Sequence, residues 1–188
     1  GGYYGAYLLG NGSDILIEDC LFEGTKISAK NLESITVRGC EVRDSVTGIQ
    51  IDQGTHCIVD DCRILNCANV GVAVSGYTTV CDFVDSEVSG GMAVYVDTYS
   101  AVNATNTIFT GGSWCVFEFQ NSHFSQITNC DLFRGSGPYI RSFRHSSIGE
   151  LSLDFSNNYW GTTDPEEIRT WIWDGFNDPD NYSTIMFE

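Results

Sequence analysis

One short phrase recurs six times along this chain of 188 residues and constrains its fold more than any other feature. Each copy alternates apolar and polar residues and contains a small anchor residue, with an apolar residue two positions later. The anchors are Cys20, Cys40, Cys62, Ser86, Thr107 and Cys130. Their numbers differ by 20, 22, 24, 21 and 23, which is too short a period for helical-hairpin repeats or propeller blades. Because alternation with period two is typical of strands, the phrase predicts a solenoid built from strands.

Alignment on the anchors predicts which side chains point inward. Two apolar positions precede each anchor by five and three residues, as Ile15 and Ile17 precede Cys20. A second strand lies upstream, and its inward positions are predicted as two series. The first series is Tyr7, Ile27, Ile49, Val72, Val94, Phe117 and Ile140, and the second is Leu9, Ala29, Ile51, Val74, Val96, Phe119 and Ser142.

Turn residues recur at two places in the repeat. The position before the anchor is Asp19, Gly39, Asp61, Asp85, Asn106 or Asn129, and the position four after it is Gly24, Asp44, Asn66, Gly90, Gly111 or Arg134. Gly, Asn and Asp adopt a left-handed backbone at the least cost, so each coil is predicted to bend at both places. Three short strands per coil, stacked about 4.8 Å apart, describe a parallel β-helix of about seven coils.

The C-terminal segment leaves the repeat for a short helix. Asp164 is a suitable N-cap, Pro165 fits the first helical position, and Glu166 and Glu167 favour the first turn. The segment from Asn157 to Pro165, NNYWGTTDP, resembles the end of many right-handed parallel β-helix proteins of the pectate-lyase-like superfamily. The expected fold is therefore all-β, a right-handed parallel β-helix solenoid with a C-terminal capping helix. We assign residues 1–160 to the coils and 161–188 to the cap of a single domain, which we expect to be a piece of a longer protein.

Charge narrows the range of partners. The formal net charge of −16 disfavours nucleic acid and anionic membranes, because both would be repelled. It also disfavours a polyuronate substrate unless Ca²⁺ bridges the two. No apolar run is long enough to span a membrane. Alternating charges one coil apart, such as Glu18, Arg38 and Asp60, are interpreted as exposed ion pairs that support the structure.

Eight cysteines would suggest a disulfide framework in a small secreted chain. The repeat instead places most of them in inward stacks, with Cys57 and Cys81 in one column and Cys115 two residues before the inward Phe117. Parallel neighbours one coil apart fit disulfide geometry poorly, so we expect mostly free, buried thiols. Cys67, in the bend after the third coil, is expected to be the accessible one.

The outward face of the second strand is the predicted functional surface. Its two columns run through Ser28, Gln50, Ala73, Tyr95, Glu118 and Arg141, and through Lys30, Asp52, Ser75, Asp97, Gln120 and Phe143. We call these two columns the outward strip. Carboxylates, amides and aromatic rings are the groups that recognise sugars, and in the resembling superfamily a polysaccharide often lies along such a sheet.

Candidate ligand-binding residues are Gln50, Tyr95, Gln120, Tyr139, Phe143 and His145. Structural pairs are expected between Lys30 and Asp52 and between Glu118 and Arg141.

Two catalytic schemes fit parts of the strip. Asp52 and Asp97 are two coils apart, about 9–10 Å at the backbone, which is near the carboxylate spacing of an inverting glycoside hydrolase. Alternatively, Asp97 and Glu118 could hold Ca²⁺ against a uronate while Arg141 removes a proton, as β-elimination requires. The N-T-D, G-H-G and R-I-K segments of polygalacturonase-like hydrolases are missing from the chain.

We therefore expect a secreted or cell-surface domain that contacts a polysaccharide or other glycan along the strip. The partners are the glycan and the other domains of a longer parent chain, without nucleic acid or membrane insertion. No cofactor is expected, apart from Ca²⁺ under the lyase scheme. A glycoside hydrolase or polysaccharide lyase, and a non-catalytic adhesin or spacer module, are the alternatives.

Overall fold

A computed structural model describes residues 3–143, 151–175 and 183–187. Nearly all of the regular structure is β-strand. In chain order the strands are β1 (Tyr3–Leu9), β2 (Ile15–Glu18), β3 (Leu21–Glu23), β4 (Thr25–Lys30), β5 (Ser34–Arg38), β6 (Glu41–Arg43), β7 (Thr47–Asp52), β8 (His56–Asp60), β9 (Arg63–Ser75), β10 (Val80–Val84), β11 (Glu87–Asp97), β12 (Ala101–Thr105), β13 (Ile108–Gln120), β14 (Gln126–Thr128), β15 (Asp131–Phe133), β16 (Ile140–Phe143), β17 (Leu151–Asp154), β18 (Ile172–Trp173) and β19 (Ser183–Met186). The helix α1 spans Pro165–Thr170.

The strands form two parallel sheets along the solenoid. The first sheet has the order β19-β17-β14-β12-β10-β8-β5-β2, and the second has the order β1-β4-β7-β9-β11-β13-β16-β18, with β3, β6 and β15 attached to it. Six coils from β2 to β16 contain strands of both sheets, compared with about seven predicted. The parallel β-helix predicted from the repeat is confirmed.

The predicted register is also confirmed over the six complete coils. Ile35 pairs with Cys57, and Val59 pairs with Phe83, as the anchor alignment requires. In the second sheet Ile49 pairs with Val72, and Val94 pairs with Phe117. These side chains are all within 1 % of complete burial. The inward columns therefore form one continuous core.

The first strand is the exception to the predicted register. Sequence alignment placed Tyr7 and Leu9 inward, whereas the structure pairs Ala6 with Ile27 and leaves Tyr7 and Leu9 exposed at 51 % and 60 %. A register irregularity between Tyr4 and Ala6 causes the difference. A slip of one residue transfers every side chain of a strand to the other face. Both faces of β1 are apolar, so periodicity alone could not choose between them.

The left-handed bend before the anchor occurs in every coil. The φ angles are 51° at Asp19, 58° at Gly39, 50° at Asp61, 50° at Asp85, 50° at Asn106 and 54° at Asn129. Such a bend interrupts strand pairing and leaves backbone groups that need partners. The anchor side chains supply them, since all six donate to the carbonyl two residues earlier.

Several anchors also accept a hydrogen bond from the coil before them. The backbone N–H of Cys62 donates to Ser86 Oγ at 3.0 Å, and that of Ser86 donates to Thr107 Oγ1 at 3.4 Å. Cys20 N–H donates to Cys40 Sγ at 3.4 Å. We call this arrangement the anchor ladder. It explains why the anchor is always a small residue that carries an oxygen or a sulfur.

The second predicted bend is only partly confirmed. Gly24, Asp44 and Asn66 have φ angles of 66°, 55° and 55°. At Gly90 and Gly111, however, β11 and β13 run through the position as continuous strands. Glycine is needed here because other backbone atoms lie very close to these positions. A Cβ on Gly111, for example, would lie 2.4 Å from the carbonyl oxygen of Cys115. Arg134 is likewise not among the left-handed residues of the described chain.

All eight cysteines are free thiols, and seven are buried. The accessible one is Cys20, in the first coil, rather than Cys67, which is only 2 % exposed and lies 3.5 Å from Ser45 Oγ. Cys115 is buried outside the main core, in a small cluster with Val70 and Met92. Both Val116 and Phe117 belong to the main core, so the alternation is broken just after Cys115.

The NNYWGTTDP segment ends the repeat by extending the anchor ladder. Asn158 Oδ1 accepts the backbone N–H of Cys130 at 2.8 Å, and its Nδ2 donates to Ile127 and Phe155. Asn157 takes the left-handed position at φ 59°, and Trp160 is buried in the core.

The capping helix α1 begins as predicted. Asp164 Oδ1 accepts the N–H groups of Glu166 and Glu167 at 3.0 and 3.4 Å, and Ile168 packs into the core. Strands β18 and β19 follow and extend the two sheets. Within the described ranges, none of the helices has the length and hydropathy that crossing a membrane requires.

Removal of one anchor side chain should destabilise the fold. In Ser86→Ala the Cys62 N–H loses its acceptor while remaining buried, so we expect the free energy of unfolding to fall by about 1–3 kcal/mol. Urea denaturation measures the change. Ser86→Cys is the matched control, since Cys62 occupies the same column, and it should retain most of the stability. Equal losses in both variants would contradict the role of the anchor ladder.

The buried thiols should make the fold sensitive to alkaline pH. Burial raises the pKa of Cys62 from 9.0 to about 12. Above about pH 9 the unfolded chain loses this proton while the native chain retains it. Stability therefore falls as pH rises from about 9 to 12, by about 1.4 kcal/mol per pH unit for each such thiol. Urea unfolding of Cys62→Ser, compared with the native chain at increasing pH, should show a shallower decline. An unchanged slope would contradict the assignment.

Candidate functional site

The structure brings the outward strip together as the sequence predicted. Gln50 pairs in register with Ala73, and Tyr95 pairs with Ala73 and Glu118 on either side. The neighbouring column is equally regular, with Asp52 beside Ser75 and Asp97 beside Gln120. The strip ends at Arg141 and Phe143 of β16, which pair with Glu118 and Gln120.

A hydrogen-bond network fills the N-terminal half of the strip. Lys26 Nζ donates to Gln50 Oε1 at 2.6 Å, and Gln50 Nε2 donates to Asp52 Oδ2 at 3.0 Å. Ser75 Oγ donates to Asp52 Oδ1 at 2.5 Å. Both oxygens of Asp52 are therefore engaged. The network holds this carboxylate between Gln50 of the same coil and Ser75 of the next coil.

The expected ion pair between Lys30 and Asp52 does not form. The two residues are register neighbours, but no ion pair within 4.0 Å links Lys30 to a carboxylate in the described part of the chain. Asp52 is satisfied by Gln50 and Ser75 instead. Lys30 keeps its ammonium group at the edge of the strip.

The C-terminal half of the strip contains the predicted pair between Glu118 and Arg141. Arg141 Nη1 lies 3.3 Å from Glu118 Oε2, and Gln120 Nε2 donates to Glu118 Oε1 at 2.6 Å. The Glu118 side chain is only 8 % exposed. The Arg141 guanidinium carbon also lies 5.1 Å from the centroid of the Phe143 ring. Glu118 and Arg141 thus neutralise each other, which leaves neither well placed to act as calcium ligand or base.

Tyr95 and Asp97 lie between these two networks. Tyr95 packs against the cluster of Val70, Met92 and Cys115. Burial, followed by the negative charges of Asp97 and Glu118, raises the pKa of Tyr95 to about 12. Its hydroxyl therefore remains protonated at neutral pH. Tyr95 is thus a neutral group near Asp97 and does not balance its charge.

Tyr139, one of the candidate ligand-binding residues, lies away from the strip. Tyr139 is 3 % exposed, and its hydroxyl donates to the carbonyl of Trp160, so it belongs to the core beneath the cap. Aromatic packing against Trp160 and Trp171 explains its burial. His145 lies outside the described residues. Nor do the described ranges contain a group of three or more His, Cys, Asp or Glu side chains that could hold a metal ion.

An open groove of about 700 Å³ lies where the strip meets the following bend. It is lined by Lys30, Asp52, Gln53, Gly54, Ser75, Gly76, Tyr77, Thr78, Asp97 and Thr98. We call it the corner groove. The bend is left-handed at Asn31, Gln53, Gly76, Thr98 and Asn121, one residue past the strip in successive coils. This repeated bend places the end of the strip and the bend residues on one concave surface.

One member of a stack of aromatic residues, Tyr77, lines the corner groove. The rings of Tyr77 and Tyr99 are 5.0 Å apart and nearly parallel, at 16°, and Tyr99 contacts His123 at 5.4 Å. Tyr77 is 67 % exposed. In the preceding coil the corresponding position is Gly54, which has no side chain to cover the other face of Tyr77. One ring face therefore borders the groove.

Sequence reasoning missed Tyr77 and Tyr99, although a signal for them existed. They follow Ser75 and Asp97 by two residues, as Gly54 follows Asp52. Extending the strip columns past the strand ends would have aligned them. The column analysis stopped at the strands because the left-handed third bend was not predicted.

The site offers hydrogen-bond donors, acceptors and one aromatic face on a single concave surface. Lys30 and Thr98 can donate, Asp52 and Asp97 can accept, and Tyr77 offers a flat apolar surface. Such a combination suits a polar ligand with apolar ring faces.

Comparison with known proteins gives one match. The family model described as the right handed beta helix region matches residues 1–159. No curated protein and no solved structure matches the chain. The family match is consistent with the resemblance of the C-terminal segment to the pectate-lyase-like superfamily, and it covers the coils that build the corner groove. The chain therefore belongs to the right-handed β-helix family.

Proposed function

We propose that this domain binds a polysaccharide chain in the corner groove. The observation that carries the proposal is the exposed ring face of Tyr77 beside the carboxylates and hydroxyls of the groove. A pyranose has an apolar ring face and a rim of hydroxyls, so it needs both kinds of surface at once. The groove supplies them on adjacent coils.

The geometry favours a ligand that lies along the solenoid axis. Lys30, Asp52, Ser75 and Asp97 occupy equivalent positions on four successive coils. Three coil steps separate the first from the last, about 14 Å at the backbone. A chain of linked sugars can run over this distance, whereas a single small molecule would contact only part of it.

We also propose that the domain is part of a larger secreted or surface-attached protein and acts outside the cell. Polysaccharides are met there, and the net charge of −16 disfavours nucleic acid as the ligand. No cofactor is required for binding. Calcium would enter only with a polyuronate ligand, as a bridge between two sets of carboxylates.

Loss of the Tyr77 ring should weaken binding. In Tyr77→Ala we expect affinity for a bound oligosaccharide to fall about tenfold, because the apolar contact is removed. Calorimetric titration after a glycan-array screen measures it. Trp114→Ala is the matched control, since Trp114 is 56 % exposed and does not line the groove. Failure to bind any glycan, or equal loss in both variants, would contradict the proposal.

Glycoside hydrolysis is the second candidate function, favoured by the placement of Asp52 and Asp97 in one groove. They flank Ser75, two coils apart, about 9–10 Å at the backbone. This separation is close to the range that inverting hydrolases use to accommodate a water molecule beside the sugar. A non-catalytic spacer would bind no glycan and cleave none.

The hydrolase candidate predicts new reducing ends from a bound polysaccharide. Asp97→Asn should abolish them while largely preserving the fold, since Gln120 occupies the same column one coil later. Asp85→Asn is the control, because it removes an equal charge at an exposed bend that accepts Asn in the next coils. Binding without any cleavage by the native chain would eliminate this candidate and leave the binding proposal intact.

A further inference from the structure

The three carboxylates of the outward strip differ in what balances their charge. Glu118 is paired with Arg141 at 3.3 Å and accepts from Gln120. Asp52 accepts from Ser75 and from Gln50, which is itself bonded to Lys26. Asp97 lies near the neutral hydroxyl of Tyr95. In the described ranges, Asp97 makes no ion pair within 4.0 Å.

Asp97, whose negative charge is not balanced by an ion pair in the described ranges, lines the corner groove. A carboxylate has acceptor sites for about four hydrogen bonds, and the Tyr95 hydroxyl can fill at most one of those of Asp97. An ionised acceptor forms its strongest hydrogen bonds with a cationic donor. Glu118 attracts a cation less strongly than Asp97 does, because Arg141 already neutralises the charge of Glu118. Asp97 is therefore the groove residue best placed to receive a cation.

The surrounding charges also favour a cation at this end of the groove. The net charge of −16 adds a long-range attraction for cations. Lys30 lies three coils away at the other end, so the ends of the groove differ in charge.

We infer that the corner groove selects a saccharide with a free ammonium group, one that contains an amino sugar, and that Asp97 receives the ammonium while Tyr77 supports the ring of a neighbouring unit. The inference rests on the proposed saccharide binding and names its substrate class. A uronic acid would bring a second negative charge to Asp97. A neutral sugar would bind through hydroxyls alone. An amino sugar adds a charge-assisted hydrogen bond without losing the ring contact.

Lys30 makes the binding directional. Its ammonium would repel a like charge at the first coil of the groove, whereas Asp97 attracts one at the fourth. An oligosaccharide with one amino sugar among neutral units would place that unit beside Asp97.

The test is calorimetric titration of the full chain with three oligosaccharides of equal length. They are oligomers of glucosamine, N-acetylglucosamine and galacturonic acid, at a pH at which the glucosamine amines are protonated. The glucosamine oligomer should bind about tenfold more tightly than the acetylated one, as expected for a hydrogen bond to a charged group, and the galacturonic acid oligomer should bind least. Raising the pH until the amines lose their protons should remove the preference.

Two variants with the same change in net charge identify the responsible carboxylate. Asp97→Asn should remove the preference for glucosamine, and Asp85→Asn should preserve it, because Asp85 lies at an exposed bend outside the groove. Circular dichroism and thermal unfolding confirm that both variants are folded.

The remaining outcomes separate this inference from the proposed function. If the neutral oligomer binds in a Tyr77-dependent manner with no preference for glucosamine, the amino-sugar inference is overturned and the binding proposal stands. Equal loss in both charge variants, or full competition by spermidine, a cation without a sugar ring, also overturns it. No binding of any oligosaccharide overturns both.

Discussion

The fold depends on the anchor ladder, the hydrogen bonds between a small anchor side chain and the backbone at each left-handed bend. A parallel sheet pairs backbone groups only where its strands are extended, so every bend leaves N–H groups that need other partners. Oγ of Ser86, for example, accepts the N–H of Cys62 and donates to the carbonyl of Val84. Because the bond runs from coil to coil, it fixes the register at which the coils stack. The constant register in turn aligns the outward columns.

Aligned columns explain why the outward strip could be predicted from the sequence. A regular register places Asp52, Ser75 and Asp97 on one line regardless of side-chain detail. The alignment could not predict which nearby donor each carboxylate bonds to. Lys30 and Asp52 are register neighbours, yet Asp52 bonds to Ser75 and Gln50, while Glu118 and Arg141 do pair. Competition among nearby donors depends on side-chain conformation, which periodicity does not encode.

Sequence reasoning was most accurate where one face of a strand is polar and least accurate where both are apolar. The six complete coils have a polar outer face, and their inward columns are confirmed. In β1, Tyr7 and Leu9 alternate with Ala6 and Leu8, so both registers bury apolar groups. Cys115 was misplaced because the alternation breaks before Val116. The corner groove was missed because the left-handed residues Gln53 and Thr98 are not typical turn residues.

The same physical constraint that stabilises the solenoid limits where a ligand can bind. Inward residues are close-packed, and most charges on the outer face of the first sheet are paired, as Arg38 is with Glu18 and Asp60. A ligand must therefore find polar groups that are not already paired within the chain, together with a concave surface that it can contact on more than one side. In the corner groove the third bend supplies the concavity and the strip supplies the carboxylates. Gly54 leaves one face of the Tyr77 ring uncovered, and the Asp97 carboxylate has no cationic partner among the described residues. The proposed recognition of an amino sugar follows from those two features acting on adjacent parts of one ligand.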